Sequence, residues 1–177
     1  MAAASIVAAW SLASGLTSMS IVVPWWVDMP SVFGFYGLFF MVFDQWFWKV
    51  GFVRRLLKTP NLNGTYDGWV SSSFNQHSSR LDARLIIHQT WTKINIVMTT
   101  SNSDSQSQIA SILTQDSSLS YEYLNNPHPN APPTMQMHFG TAHMTFDSAG
   151  DALDGGYYSG RGRQNIGTLH FERVNRQ

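Results

Sequence analysis

The stretch Gly155-Gly156-Tyr157-Tyr158-Ser159-Gly160-Arg161-Gly162-Arg163-Gln164-Asn165 concentrates chemistry more than any other part of this 177-residue chain. Glycines let a ligand approach the backbone, and guanidinium groups offer paired donors to phosphate oxygens. Adjacent tyrosines offer faces on which bases stack. Arg161 and Arg163 lie two apart, so in a strand they point the same way. The plainer reading is a glycine-rich hairpin with solvated arginines. The run Thr99 to Ser107 could offer hydroxyls to a ribose or phosphate, but its composition reads better as a mobile polar loop. Gln89, Trp91, Lys93 and Asn95 share one strand face, too polar for a core and too aromatic for a solvent face. A wet ligand cavity reconciles these properties, and a rim position is the alternative.

Catalytic patterns are weak. The histidines (His77, His88, His128, His138, His143, His170) form no HExxH or comparable metal spacing. Asp147, Asp151 and Asp154 do not match an EF-hand loop, and no GxSxG elbow occurs. There is no cysteine, which excludes disulfides and thiol catalysis. The chain reads as a non-enzyme with no metal and no cofactor.

The elements that must position these residues are strands. Leu119, Tyr121 and Tyr123 alternate with Ser120 and Glu122, and Leu169 and Phe171 alternate with His170 and Glu172. Similar alternation runs through Tyr66 to Phe74, Gln108 to Thr114 and Met135 to Phe139, and period two gives each strand one core face. Leu85 to Thr99 is too long for one average strand and reads as one bent strand or two joined near Thr92-Lys93. Turn sequences separate the runs: Asn126-Pro127-His128-Pro129, Ala131-Pro132-Pro133, Ser148-Ala149-Gly150-Asp151 and Asp154-Gly155-Gly156. Roughly eight strands at this spacing predict a small antiparallel up-and-down β-barrel over 59–177, closed so that no edge is exposed and able to hold one small ligand. After Lys58 seven Lys/Arg face nine Asp/Glu, a net charge near −2. Broad binding to a DNA or RNA polymer is therefore not expected.

Residues 1–58 differ. The first 48 carry only two charged side chains, Asp28 and Asp44. A helix needs about 20 apolar residues to cross a hydrocarbon core about 30 Å thick. Spans at about 2–23 and 31–48, with an outer turn at Pro24 to Pro30, predict a transmembrane helical hairpin. Lys49, Arg54, Arg55 and Lys58 follow the second span, which puts both termini and the barrel in the cytoplasm. A cleaved signal peptide, or an interfacial second helix, are the other readings. Small residues Ala4, Ala8, Ser11, Gly15 and Ser18 form one stripe, and Gly34, Gly37, Met41 and Asp44 another. Such stripes let helices approach closely, so Gly15, Gly34, Gly37 and Asp44 are candidate oligomerisation residues. Asp44 equally reads as a hydrated interfacial acid.

The whole chain resembles the two-transmembrane, β-barrel effectors of bacterial CBASS anti-phage systems, which are associated with cGAS/DncV-like nucleotidyltransferases. The resemblance rests on the order of the two apolar spans, Leu62-Asn63-Gly64-Thr65-Tyr66-Asp67-Gly68-Trp69, His88-Gln89-Thr90-Trp91-Thr92-Lys93-Ile94, the Ser-rich run to Ile112, Leu119 to Pro127, His138-Phe139-Gly140-Thr141 and Leu153 to Arg163. It implies a barrel that binds a cyclic dinucleotide, oligomerises and disrupts the inner membrane to cause abortive infection. Its partners would be the messenger, the lipid bilayer and further copies of the chain. On chemistry and motif position, Arg161 and Arg163 meet phosphate, and Trp91, Tyr121, Tyr123 or Tyr158 stack on bases. Gln89, Ser103, Asn125 and Thr141 read base edges or ribose. A membrane-tethered lipocalin-like module for an apolar ligand, and a non-catalytic adaptor that uses the barrel exterior, are the alternatives.

Overall fold

From Gly64 to Arg173 the alternating segments become eight strands in a computed structural model, which describes residues 2–19, 25–160 and 164–174. The strands are β1 (Gly64–Ser72), β2 (Arg80–Gln89), β3 (Ile94–Thr100), β4 (Ser103–Leu113), β5 (Ser118–Pro127), β6 (His138–Phe146), β7 (Ala152–Ser159) and β8 (Ile166–Arg173). Each pairs with the next, and antiparallel pairing of β8 with β1 closes the ring in chain order. Inward side chains of every strand form one core around Leu85, Ile87, Ile96, Leu119, Met144 and Phe171.

Several boundaries differ from the sequence reading. Leu85 to Thr99 is two strands, and the bend is a tight turn in which the Thr90 N–H donates to the Lys93 carbonyl at 2.8 Å. Gln89 and Trp91 therefore do not share one strand. The serine run is not a loop: Ser103 to Ser107 opens β4. Asp154-Gly155-Gly156 is not a turn but the middle of β7. There Gly155 passes so close to β6 that a Cβ would lie 2.0 Å from the His143 carbonyl oxygen, so backbone contact rather than turning demands glycine. Met135 and Met137 precede β6, which begins at His138.

One end of the barrel is stapled shut. Tyr66 is fully buried, and its hydroxyl bonds the carbonyls of Leu62 (3.1 Å) and Gly150 (2.8 Å). The Arg173 guanidinium lies over the Tyr66 ring at 4.7 Å. It donates to the carbonyls of Asn63, Asn61 and Gly150 and pairs with Asp151 at 2.8 Å. Gln89 completes the closure: its oxygen accepts from the Leu62 N–H at 2.8 Å, and its amide donates to the Pro60 carbonyl at 3.0 Å. Residues 60–63 are thus held across the barrel end by the side chains of Tyr66, Arg173 and Gln89, which recruit their backbone groups.

The chain divides into two units, Met1–Arg54 and Arg55–Gln177. The first contains α1 (Ala2–Ser18), α2 (Trp25–Gln45), a 3₁₀ turn at Phe47–Lys49 and the start of α3 (Gly51–Leu57). Here the expected transmembrane hairpin is not supported. Among the described residues no helix is long and apolar enough to cross a membrane. The 17 residues of α1 rise about 25 Å, short of a hydrocarbon core. The 21 residues of α2 are long enough, but Asp28, Pro30, Asp44 and many aromatics dilute its apolar character. The expected outer turn is helix from Trp25 onward and includes Pro30; Pro24 lies outside the described residues. On α1 the buried residues are Ser5 and Ala9, and Gly15 is exposed.

Two predictions follow from the barrel. Arg173→Met leaves three carbonyls and Asp151 without their donor and should lower barrel stability by about 3 kcal/mol; denaturation followed by tryptophan fluorescence measures this, and an unchanged midpoint refutes the staple. On the outer wall His170 Nδ1 lies 2.5 Å from Asp154, with Glu172 at 3.6 Å from Nε2. The bond to Asp154, then the charges of both acids, raise the His170 pKa above 6.5, and Asp104 does the same for His128. The folded state therefore holds these protons more tightly than the unfolded chain. Their stabilisation is complete below pH 6.5 and is lost as pH rises through the raised values. The barrel Tm should decline above pH 6.5, and the slope should be smaller in His170→Gln; an equal slope in the variant refutes the assignment.

Candidate functional site

The end of the barrel opposite the staple encloses a cavity of about 280 Å³. It lies where β1, β3, β5 and β7 end and their partners begin. Val70, Leu81, Met98, Ala142 and Leu169 supply apolar wall, and Tyr121, Tyr123 and Tyr157 supply aromatic wall. Ser103, Ser105, Asn125, Ser159 and Asn165 add hydroxyls and amides, and Pro132, Thr134 and Met135 of the β5–β6 loop reach over the opening. No Asp, Glu, Lys or Arg lines the cavity among the described residues.

Register explains how the wall is made. Tyr121, Tyr123 and Asn125 are successive inward residues of β5, paired with Ala142, Gly140 and His138 of β6. Tyr123 lies across Gly140, where a Cβ would stand 2.3 Å from the tyrosine oxygen. Tyr157 lies across its partner Gly167, where a Cβ would meet the ring at 2.1 Å. Glycines on neighbouring strands thus leave room for large rings to lie flat against the wall. The rings of Tyr121 and Tyr123 are 6.1 Å apart and tilted by 55°, and His138 meets Tyr123 edge-on at 6.4 Å. Burial pushes the Tyr121 phenol well above its ordinary pKa, so it stays protonated and offers a neutral hydroxyl. Asn125 is 5% exposed, and its side-chain oxygen accepts from the Ser105 hydroxyl at 2.9 Å.

Of the residues singled out from the sequence, the cavity unites Tyr121, Tyr123, Ser103 and Asn125. Arg161 and Arg163 lie outside the described residues. Tyr158 is 56% exposed on the outer wall, because its neighbour Tyr157 takes the inward position of β7. Thr141 alternates with inward Gly140 and Ala142 and does not line the cavity. Gln89 belongs to the staple, and Trp91 borders a shallower groove of about 350 Å³ beside the β2–β3 turn with Lys93 and Ile112. Ser105, Tyr157, Ser159 and Asn165 also line the cavity; they lie within the two stretches picked out from the sequence but were not named individually as site residues. For Ser105 the signal was its two-residue spacing from Ser103 on a shared strand face.

In the N-terminal unit a Cβ on Gly15, Gly34 or Gly37 would meet nothing within 4 Å, so the glycine stripes are not used in the contact between the helices. Asp44 is only 8% exposed, and its carbonyl accepts from the Trp48 indole at 2.9 Å. It is folded into its own unit.

A family model described as Cap15, cyclic dinucleotide receptor domain, matches residues 57–173, the whole of the barrel. CD-NTase-associated protein 15 of Yersinia aleksiciae is 32% identical to this chain over 153 residues, covering 83% of the chain and 71% of that protein. The chain belongs to the Cap15 family, CBASS effectors built on a β-barrel receptor domain.

Proposed function

We propose that the barrel is the sensor of a CBASS effector and binds a cyclic dinucleotide in the cavity opposite the staple. The observation that carries this reading is a cavity walled by three tyrosines, hydroxyls and amides in a domain matched by a cyclic dinucleotide receptor family. Bases require stacking faces and edge-reading polar groups, which this wall supplies. An aliphatic ligand would find buried hydroxyls and amides without partners, which disfavours a lipocalin-like role. The cavity volume sits near the lower limit for small-molecule pockets, roughly 300 Å³. A messenger with two nucleosides would therefore leave part of itself, its phosphates first, at the opening. Arg161 and Arg163 fall in chain order between Ser159 and Asn165, both of which line the cavity, and we assign them to phosphate.

In this reading residues 1–58 are the effector part and 59–177 the receptor. The helices leave Trp10 (71%), Phe33 (73%) and Phe52 (78%) exposed, an apolar load that favours association with a bilayer. Lys49, Arg54, Arg55 and Lys58 favour the inner membrane with the barrel in the cytoplasm. Ligand binding would then drive oligomerisation through the open glycine stripes, membrane disruption and abortive infection. No catalytic step is assigned.

Titration calorimetry of the purified full-length protein with a panel of cyclic dinucleotides tests the sensor. At least one member should bind, and no heat with any of them refutes it. Removing a charged hydrogen-bond partner costs on the order of 1.5–3 kcal/mol, so Arg161→Ala should weaken binding tenfold or more; wild-type affinity in that variant removes the arginine from the site. Gly15→Leu should reduce ligand-induced cross-linking between protomers in membranes, and undiminished cross-linking excludes that stripe from the interface.

A further inference from the structure

Asn125 combines features that no other described residue of the cavity shares. It is 5% exposed, it lines the cavity, and its Nδ2 has no hydrogen-bond partner in the protein. Its Oδ1 is already taken by the Ser105 hydroxyl, 2.9 Å away on the strand directly opposite. A buried amide hydrogen-bonded on one side and bare on the other carries a desolvation cost that a ligand can relieve. Holding the oxygen toward Ser105 also orients the amide, so that its unpaired side is the Nδ2 with its two N–H donors.

The surroundings decide which part of a ligand meets those donors. Tyr123 projects from the same face two residues away, and Tyr121 beyond it. Among the described lining residues there is no Lys or Arg to neutralise a buried phosphate, and an uncompensated anion in such a wall is strongly disfavoured. A neutral base is not. A base lying against Tyr123 would turn an edge toward Asn125.

We infer that Asn125, locked by Ser105, is a specificity residue that accepts a base bearing an exocyclic carbonyl and rejects its exocyclic-amine counterpart. The inference rests on the cyclic-dinucleotide reading above. A free asparagine reads adenine with both of its atoms, oxygen to the amine and nitrogen to the ring. With the oxygen turned toward Ser105, that two-atom mode is disfavoured. A carbonyl at the same place completes the bare donor, whereas an amine sets N–H against N–H. Ser105 acts as a positioning residue, since without its hydroxyl the amide can rotate and offer either atom.

The test uses size-matched probes on the full-length protein by titration calorimetry. Cyclic di-UMP is compared with cyclic di-CMP, and cyclic di-IMP with cyclic di-AMP, each pair exchanging a carbonyl for an amine. In the pair that fits the wild-type cavity, the carbonyl form should bind about tenfold tighter, within the range for one directed base contact. Asn125→Asp, nearly the same shape but lacking the donors, should abolish or reverse that ratio. Ser105→Ala should bring the ratio toward one while the protein still binds, an effect that mere loss of packing would not produce. If Asn125→Asp fails to fold, the Ser105→Ala ratio decides. Equal affinity within both pairs for the wild type, or an unchanged ratio in Ser105→Ala, overturns the inference while leaving the sensor reading intact; no binding by any probe of a wider panel overturns both.

Discussion

Everything in the receptor depends on the closure of β1 onto β8. Once the eighth strand pairs with the first, no edge remains and every residue must face either the enclosed space or the outside. A slip of one position at any ladder would exchange the two sets along a whole strand. Closure thus turns the two-residue period into an assignment of function. Tyr121 and Tyr123 become cavity wall and Glu122 becomes solvent surface, while Tyr157 turns in and Tyr158 turns out. The glycines opposite the inward tyrosines belong to the same constraint, because large rings fit a narrow barrel only where the neighbouring strand has no side chain.

Where alternation of polarity coincides with alternation of direction, the cavity wall was legible. On β5 the inward Leu119, Tyr121 and Tyr123 contrast with Ser120 and Glu122, and both tyrosines line the cavity. On β7 the sequence Gly155-Gly156-Tyr157-Tyr158 repeats each type on adjacent positions, so period two has nothing to distinguish, and the outward tyrosine was chosen. The opening of β4 failed for a related reason. Ser103 and Ser105 face a polar cavity while Asp104 and Gln106 face water. A strand with polar groups on both sides has no hydrophobic period and reads as a loop. The converse error arose at Met135 and Met137, which alternate with polar residues but lie in the connection before β6. In the N-terminal unit, low charge suggested two spans that the described helices do not support. Charge counts do not register that α1 ends after 17 residues, or that aromatic side chains, Pro30 and two acids make α2 less apolar than its length suggests.

The two ends of the barrel are chemically opposed. At the stapled end almost every polar group has a partner, and the arginine that organises it, Arg173, has a side chain only 6% exposed. At the other end the wall keeps an unmatched amide at Asn125 and a half-buried ring of hydroxyls. The staple fastens the end where the chain enters the barrel, and at the other end an unmatched amide stands in the wall of a cavity that a ligand can enter. This separation lets the open end be shaped for recognition without loosening the ring, since contacts far apart contribute almost independently.

The absence of charged groups from the described part of the cavity wall bears on selectivity. A basic pocket attracts any polyanion through counterion release, irrespective of its bases. This receptor domain carries a net charge near −2, and its cavity offers neutral faces and directed donors instead. Nucleic acid polymers gain little from such a surface and cannot bend a duplex into a cavity of about 280 Å³. A small cyclic molecule can present its bases to the wall while its phosphates stay near solvent, where retaining water costs them least. Discrimination then falls to shape and hydrogen-bond direction, the two properties that a rigid closed barrel is best able to hold fixed.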